Sequence, residues 1–197
     1  MNVLLACEES QEVCLAFREK GHFAYSCDLQ ECSGGHPEWH LQMDVFDAFN
    51  ELDWDLVIAF PPCTHLATSG ARWFKEKQRD GRQYQAYKFF IEMASTKFER
   101  LAIENPIGIM SKLYRKPDQI VHPWMFGDPY SKATCLWLRG LPLLQPTNIV
   151  DKGDYELTNG GNLIPSWYNL PPSEDRAKMR SKTFPGLAKA MADQWSF

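Results

Sequence analysis

The apolar positions of this chain fall into two rhythms, and their order along the sequence outlines a fold. Asn2-Val-Leu-Leu-Ala6 is a short apolar run with no polar interruption, the signature of a strand buried on both faces. Ser10–Lys20 clusters Val13, Leu15, Ala16 and Phe17, with Gly21 just beyond. That pattern predicts a helix with Ser10 as N-cap and a glycine stop. His22–Cys27 reads as a second strand, ending at Asp28, and His40–Val45 as a third, ending near Asp44. Trp54–Ala59 is the clearest strand, and Phe60-Pro-Pro-Cys63 ends it abruptly. Gln83–Phe98 places Tyr84, Tyr87, Phe90, Ile91 and Ala94 on one helical stripe. Leu101-Ala-Ile103 is another buried strand, stopped by Glu104-Asn-Pro106. Thr134–Leu138 is a late strand, and Leu187–Trp195 a short amphipathic helix.

Strands alternating with helices predict an α/β fold: a mostly parallel sheet with right-handed crossovers and helices on both faces. Ligands of such sheets sit outside the carboxyl ends of the strands. Glu8, Asp28, Asp44, Cys63 and Glu104 all fall at those ends. Any one of them could be ordinary loop polarity. Five together would line one edge of the sheet. The stretch from Gln145 to Pro172, rich in Gly, Pro and Asn, fits no regular element.

The chain has 197 residues, enough for a single domain spanning 1–197. Its formal net charge is −4, which excludes a uniformly basic nucleic-acid coat but leaves room for a local basic patch. Hydrophobic residues at 44% and charged residues at 23% exclude a disordered chain. No apolar run approaches the ~18 residues of a membrane span. The apolar start is too short for a signal peptide and runs into Glu8 and Glu9. Six cysteines without framework spacing suit reduced thiols and a cytoplasmic location.

Two residues carry candidate chemistry. Cys63 follows Pro61-Pro62, which fix the backbone and remove two donors. A thiol held there suits a nucleophile; it also suits a small buried hydrophobe. Glu104 ends the next predicted strand, and a carboxyl group beside a thiol suits proton donation to a substrate under attack. Arg72, Lys75, Lys77, Arg79 and Arg82 follow the cysteine, and with Glu76 and Asp80 counted they leave a net +3. With Trp73 and Phe74 among them, they could hold phosphates and wedge a base, or be a solvated helix start. Lys112, Arg115 and Lys116 could extend that basic face. Cys27, Cys32, His36 and His40 have the residue types of a zinc site but no strong signature spacing, so no metal is assigned. Trp124, Trp137, Trp167 and Trp195 read as core or loop anchors.

Phe60-Pro-Pro-Cys63 resembles the nucleophile motif of the DNA cytosine carbon-5 methyltransferases. Leu101-Ala-Ile-Glu-Asn105 resembles their Glu-Asn motif, with Pro106 where Val is usual. The order of these motifs and the helix between them also match. Val3–Asp28 is similar to the family's first strand, cofactor loop, helix and second strand. Met43-Asp44-Val45 resembles its third acidic strand end, Lys132–Leu138 its late strand, and Thr183–Ala192 its closing helix. The likeness is greatest to the small phage-type branch, with 145–178 as a reduced recognition region and 183–195 closing the domain.

The resemblance implies a class-I S-adenosylmethionine-dependent methyltransferase fold of Rossmann-like type. It implies S-adenosylmethionine as cofactor, held by Ala6, Cys7, Glu8, Ser10, Asp28, Leu29, Asp44, Val45, Phe60 and Pro61. It implies Cys63 as nucleophile, Glu104 as its acid partner and Lys132 in the place of a base-holding arginine, for which Arg139, Arg72 and Thr134 are rivals. The substrate implied is double-stranded DNA with the target base flipped out, contacted by Arg72, Lys75, Lys77, Arg79 and Arg82. No membrane and no obligate protein partner are implied. Two other readings stay open: a related enzyme acting on a pyrimidine nucleotide or RNA, and an inactive nucleic-acid-binding relative. The second is prompted by the cofactor loop, Ala6-Cys-Glu-Glu-Ser-Gln11, which lacks the family's glycines.

Overall fold

A computed structural model describes residues 1–158, 160–169 and 180–197. Its centre is a seven-stranded sheet built from β1 (Asn2–Ala6), β2 (Phe23–Asp28), β3 (His40–Gln42), β4 (Leu56–Ala59), β5 (Leu101–Pro106), β6 (Gln119–Val121) and β7 (Thr134–Arg139). The strand order is β3-β2-β1-β4-β5-β7-β6. The pairs from β3 through β5 are parallel, while β7 runs antiparallel to both β5 and β6. The chain moves outward from β1 to β3, then restarts beside β1 at β4. The loops after β1 and β4 therefore part at a topological switch point, the usual place for a ligand in an open α/β sheet.

Side chains alternate across β1, so Val3 and Leu5 enter one core layer and Leu4 and Ala6 the other. On the first face lie α1 (Glu12–Glu19), through Val13 and Phe17, and α6 (Pro185–Gln194), through Leu187 and Met191. Trp195 is wholly buried with them, and its indole N–H donates to the Pro142 carbonyl at 3.0 Å. On the second face lie α2 (Val45–Ala48) and α4 (Arg82–Ala94), the latter through Phe90 and Met93. Two short helices, α3 (Phe74–Arg79) and α5 (Met110–Leu113), occupy the connections after β4 and β5. The expected fold of parallel strands between two helical layers is observed.

Several boundaries differ from expectation; the strand expected from Trp54 starts at Leu56, the helix expected over Leu187–Trp195 runs over Pro185–Gln194, and four others differ for a local reason. Helix α1 begins at Glu12, and Ser10 does not cap it. The Glu8 carboxylate does so instead, accepting from the N–H groups of Val13 at 2.7 Å and Cys14 at 3.2 Å. The third strand stops at Gln42, because Asp44 turns the chain into α2 by accepting from the Phe46 N–H at 2.8 Å. Helix α4 stops at Ala94 rather than Phe98. There the Arg139 guanidinium takes the carbonyls of Ala94 at 2.6 Å, Thr96 at 2.5 Å and Phe98 at 3.2 Å, a favourable charge at a helix C-terminus. Strand β5 runs past Ile103 to Pro106, drawn out by its pairing with β7.

Part of the irregular stretch is a two-stranded hairpin of β8 (Tyr155–Leu157) and β9 (Leu163–Pro165). Positions 159 and 170–178 of the expected recognition region lie outside the described residues.

Glu8 makes folding pH-dependent. Burial pushes its carboxyl up to about 8, against the opposing pull of its two backbone N–H bonds. A folded-state pKa above the unfolded one gives stability that is full below about 4.5 and is lost as pH rises through about 8. Glu8→Gln, which keeps the shape without the charge, is expected to gain on the wild type by about 1 kcal/mol or more between pH 5 and pH 8.5. Urea unfolding at the two pH values measures this. An equal difference at both would show that Glu8 does not titrate in that window.

Candidate functional site

The site is built on the ends of β4 and β5. Pro61 and Pro62 have no backbone N–H to offer, so the buried Pro61 leaves a carbonyl to be satisfied from elsewhere. Asn105, itself 2% exposed, donates its side-chain N–H to that carbonyl at 2.7 Å. This bond fixes the segment before Cys63 against the residue after Glu104. Farther out, Thr68 and Ile109 donate backbone N–H groups to Ile107 and Leu66 at 2.9 and 3.0 Å. The two chains approach so closely that a Cβ on Gly108 would sit 2.3 Å from the Leu66 carbonyl oxygen.

Cys63 lies half-buried at the start of a turn, its carbonyl accepting from Leu66 and Ala67, both at 2.9 Å. The carbonyls that follow it are also held. Lys77 Nζ donates to Thr64 O at 2.6 Å, and Gln83 Nε2 donates to His65 O at 3.1 Å. Burial pushes the Cys63 thiol up, and the Glu104 carboxyl adds to this, while Lys132 and Arg180 pull it down. Burial also pushes the Glu104 carboxyl up, against Lys132 and the Thr134 side chain. Both groups are thus held toward their protonated, neutral forms, with cations nearby. Thr134 comes from β7, whose antiparallel register sets Thr134 opposite Pro106 and Leu136 opposite Glu104. Lys132 precedes that strand. Its Nζ donates to Arg180 O at 3.1 Å and Lys182 O at 3.5 Å, and lies 5.8 Å from the Phe184 ring centre.

So arranged, the site brings a thiol, a carboxyl and an ammonium group within each other's field. That set can add a nucleophile to an electron-poor ring while supplying a proton. Arg139, a rival of Lys132, is at the far end of β7 and is used up on α4.

The expected cofactor residues divide into two kinds. Ala6, Glu8, Ser10 and Val45 are buried. Asp28 is half-buried, accepting from Gln30 N–H at 3.0 Å, and Leu29 beside it is 71% exposed. Asp44 is exposed, with one carboxylate oxygen given to α2. Phe60 donates its N–H to Ala6 O at 2.8 Å and keeps a half-buried ring above the switch point. Pro61 lies buried beside it.

The loop between β1 and α1 lacks glycine but has the conformations that glycine favours. Cys7 has φ 62° and Gln11 φ 61°. Gln11 is wholly buried. Its side chain donates to His36 O at 2.8 Å and Ser26 Oγ at 3.2 Å, and accepts from His36 N–H at 3.1 Å. The loop after β2 is thereby held on the loop after β1. A Cβ at Gly34 would meet Gln11 Cβ at 2.5 Å.

The basic run does not act as one patch. Lys77 is buried on Thr64, and Arg82 pairs with Glu76 at 2.7 Å and Asp80 at 2.5 Å. Arg72, Lys75 and Arg79 are exposed, with the Arg72 guanidinium 5.2 Å from the half-exposed Trp73 ring. Arg115, offered as an extension of that face, pairs with Asp118 at 2.7 Å. The zinc-type residues are engaged separately: Cys27 with Met43 O, His36 with Glu38, and His40 with Ser26 and Gln30 O. Among the described residues no three potential ligands gather. Trp137 and Trp195 are core residues as expected.

Sequence reasoning missed Arg180, Tyr168 and the clamping role of Gln11. Arg180 carries no local motif, and its backbone carbonyl accepts from Lys132.

No family model matches the chain, and no curated protein matches it. Among solved structures it is similar to a protein assigned as a DNA modification methyltransferase encoded within an E. coli prophage. The identity is 16% and the TM-score 0.50, over 77% of this chain and 52% of that one. It is also similar to the Dnmt2 methyltransferase of S. pombe, with 16% identity and a TM-score of 0.47, over 73% of this chain and 50% of that one. The chain spans about half the length of these structures. The sheet order with its single antiparallel strand, and the likeness to the prophage protein, make the fold that of the class-I S-adenosylmethionine-dependent methyltransferases, Rossmann-like in type.

Proposed function

We propose that the protein transfers a methyl group from S-adenosylmethionine to carbon 5 of cytosine in DNA, with Cys63 as covalent nucleophile. The observation that carries this reading is the meeting of Cys63, Glu104 and Lys132 at the ends of adjacent strands, with burial pushing the thiol and the carboxyl both toward their neutral forms.

Carbon 5 of cytosine is too weak a nucleophile to take a methyl group unaided. The Cys63 sulfur, once deprotonated, adds to carbon 6, and the electron pair of the 5,6 double bond becomes available at carbon 5. Glu104, pushed toward its protonated form by burial, donates its proton toward ring N3, so negative charge does not build up on the ring. Lys132 faces the carboxylate that remains. S-adenosylmethionine, when bound, supplies the methyl group that carbon 5 accepts. Loss of the carbon-5 proton to a base then re-forms the double bond and expels the Cys63 thiolate, and ring N3 returns its proton to Glu104.

The chain's residues fit that cofactor. The Asp28 carboxylate suits a ribose diol, and exposed Leu29 and half-buried Phe60 supply apolar cover for a purine. Asp44 stands exposed at the next strand end. The left-handed Cys7 and Gln11 preserve the turn that the missing glycines would make, which supports a working cofactor loop over a lost one.

The target base must leave the duplex stack, at a cost of a few kcal/mol. Arg72, Lys75 and Arg79 are available for phosphates and Trp73 for stacking; Lys77 positions the nucleophile's loop instead. We read 1–197 as one catalytic domain of the small phage-type branch, with 145–178 as its reduced recognition region.

Two measurements test this. Mass spectrometry of DNA nucleosides from cells expressing the protein is expected to show 5-methylcytosine that vanishes with Cys63→Ala. It should fall about a hundred-fold or more with Glu104→Gln. If no cytosine adduct depends on Cys63, the reading fails; activity on mononucleotides or RNA alone would move it to that substrate. Calorimetry should show micromolar binding of S-adenosylmethionine, weakened about ten-fold or more by Asp28→Ala, as for the loss of a hydrogen bond to a charged group. Absence of heat with the wild type would leave a nucleic-acid-binding relative without catalysis.

A further inference from the structure

A cavity of about 210 Å³ opens over the amino-terminal half of β5, and neither Cys63, Glu104 nor Lys132 lines it. Its floor is Leu101 and Ile103 of β5 and Trp137 of β7, with Ala94 at the end of α4, each 5% exposed or less. The Trp137 indole N–H is spent on the Arg115 carbonyl at 2.9 Å, and Phe90 packs edge-on against its ring at 5.2 Å. That ring is therefore fixed, with no polar group left to offer. Two guanidinium groups, Arg115 and Arg139, stand part-exposed at the rim. Their charges differ in what opposes them. Asp118 takes Arg115 through both its oxygens, at 2.9 and 2.7 Å, and also accepts from the Leu138 N–H at 2.7 Å. That pair is neutral in sum. Arg139 meets carbonyls, those of Ala94, Thr96 and Phe98, which hold the group without cancelling its unit charge. Of the five N–H donors of a guanidinium these bonds use three, so two remain.

We propose that this cavity binds a small aromatic carboxylate, with its ring on the apolar floor and its carboxylate on Arg139. The volume equals that of about seven waters at ~30 Å³ each, and it falls below the ~300 Å³ at which drug-sized sites begin. It suits a single ring with a short acid arm. An apolar lining with a few fixed polar groups is the usual composition of a ligand site. Inorganic phosphate would leave the floor bare, and a neutral ring would leave the Arg139 charge unanswered. A carboxylate fits the guanidinium fork, and a ring joined to it covers Leu101, Ile103 and Trp137. Three bonds already hold Arg139 in place, so binding need not order it. The site stands apart from the reading of Cys63 as nucleophile and does not depend on it.

Titration calorimetry of the full chain with phenylacetate tests the site. Saturable one-site binding is expected at about millimolar affinity, the scale for a ligand of about ten non-hydrogen atoms. Phenylethanol, a neutral ligand of similar shape, should bind about ten-fold or more weakly than phenylacetate, for want of the charge-assisted hydrogen bond. Ala94→Leu fills the cavity from α4 and should abolish binding with both arginines still present. Arg139→Lys keeps the charge but loses the fork, and should weaken phenylacetate about ten-fold while changing phenylethanol little. Arg139 also holds the end of α4, so circular dichroism checks that this variant is folded; Ala94→Leu and the two ligands decide the matter if it is not. Absence of saturation by phenylacetate up to about 20 mM with the wild type overturns the proposal. So does an unchanged affinity in folded Ala94→Leu. Equal binding of inorganic phosphate would also overturn it, as capture of an anion without use of the floor.

Discussion

The hydrogen bond from Asn105 to the carbonyl of Pro61 is the constraint on which the site depends. Two successive prolines end β4 without offering a backbone donor, and a buried carbonyl left unsatisfied costs about 1–3 kcal/mol. Asn105 meets that need from the next strand. It thereby fixes the spacing between the segment that carries Cys63 and the strand end that carries Glu104. The bond is short and buried, and the Gly108–Leu66 contact lies beyond it. Motion of Cys63 relative to Glu104 would require breaking both. Under the proposed reaction, a thiol and a carboxyl acting on one flat ring would need such a fixed separation.

The loop after β1 shows how the same backbone can be reached at a different cost. Cys7 and Gln11 hold left-handed conformations that cost L-residues about 1–2 kcal/mol each. Gln11 recovers part of that by three hydrogen bonds that a glycine could not make. Those bonds carry the loop after β2 onto the cofactor edge, where Asp28 and Leu29 stand. The sequence therefore exchanges permissive backbone for a side-chain clamp, and the loop gains rigidity that glycines would not give. Gly34 is needed opposite Gln11 for the same reason, since any side chain there would displace the clamp.

Much of the fold was legible because the apolar runs are unambiguous. Strands at Asn2–Ala6, Leu56–Ala59 and Leu101–Ile103 have no competing reading, and the polar residues after them mark the ligand edge. What could not be read lies in long-range contacts. Ser10 has the chemistry of a cap, yet Glu8 reaches the same N–H groups and takes them. Asp44 looks like a strand end and is a helix cap. Lys77 belongs to a basic run by composition, but its ammonium is buried on the Thr64 carbonyl 13 residues earlier. Arg180 is 117 positions from Cys63 and shares no pattern with it. Local periodicity reports which face of an element is apolar; it does not report where a long cationic side chain finds its acceptors.

These placements bear on how an acidic chain could handle an anionic polymer. With Lys77 buried and Arg82 and Arg115 paired to carboxylates, the basic residues named from the sequence reduce chiefly to Arg72, Lys75 and Arg79 beside the pocket. Exposed charges of that kind attract a phosphate backbone in a salt-dependent way and carry no sequence information. Lys132 is part-buried within reach of the Glu104 carboxyl, where its charge is less screened than those on the surface. The difference follows from burial: the exposed cations are screened by water and salt, and the part-buried Lys132 less so.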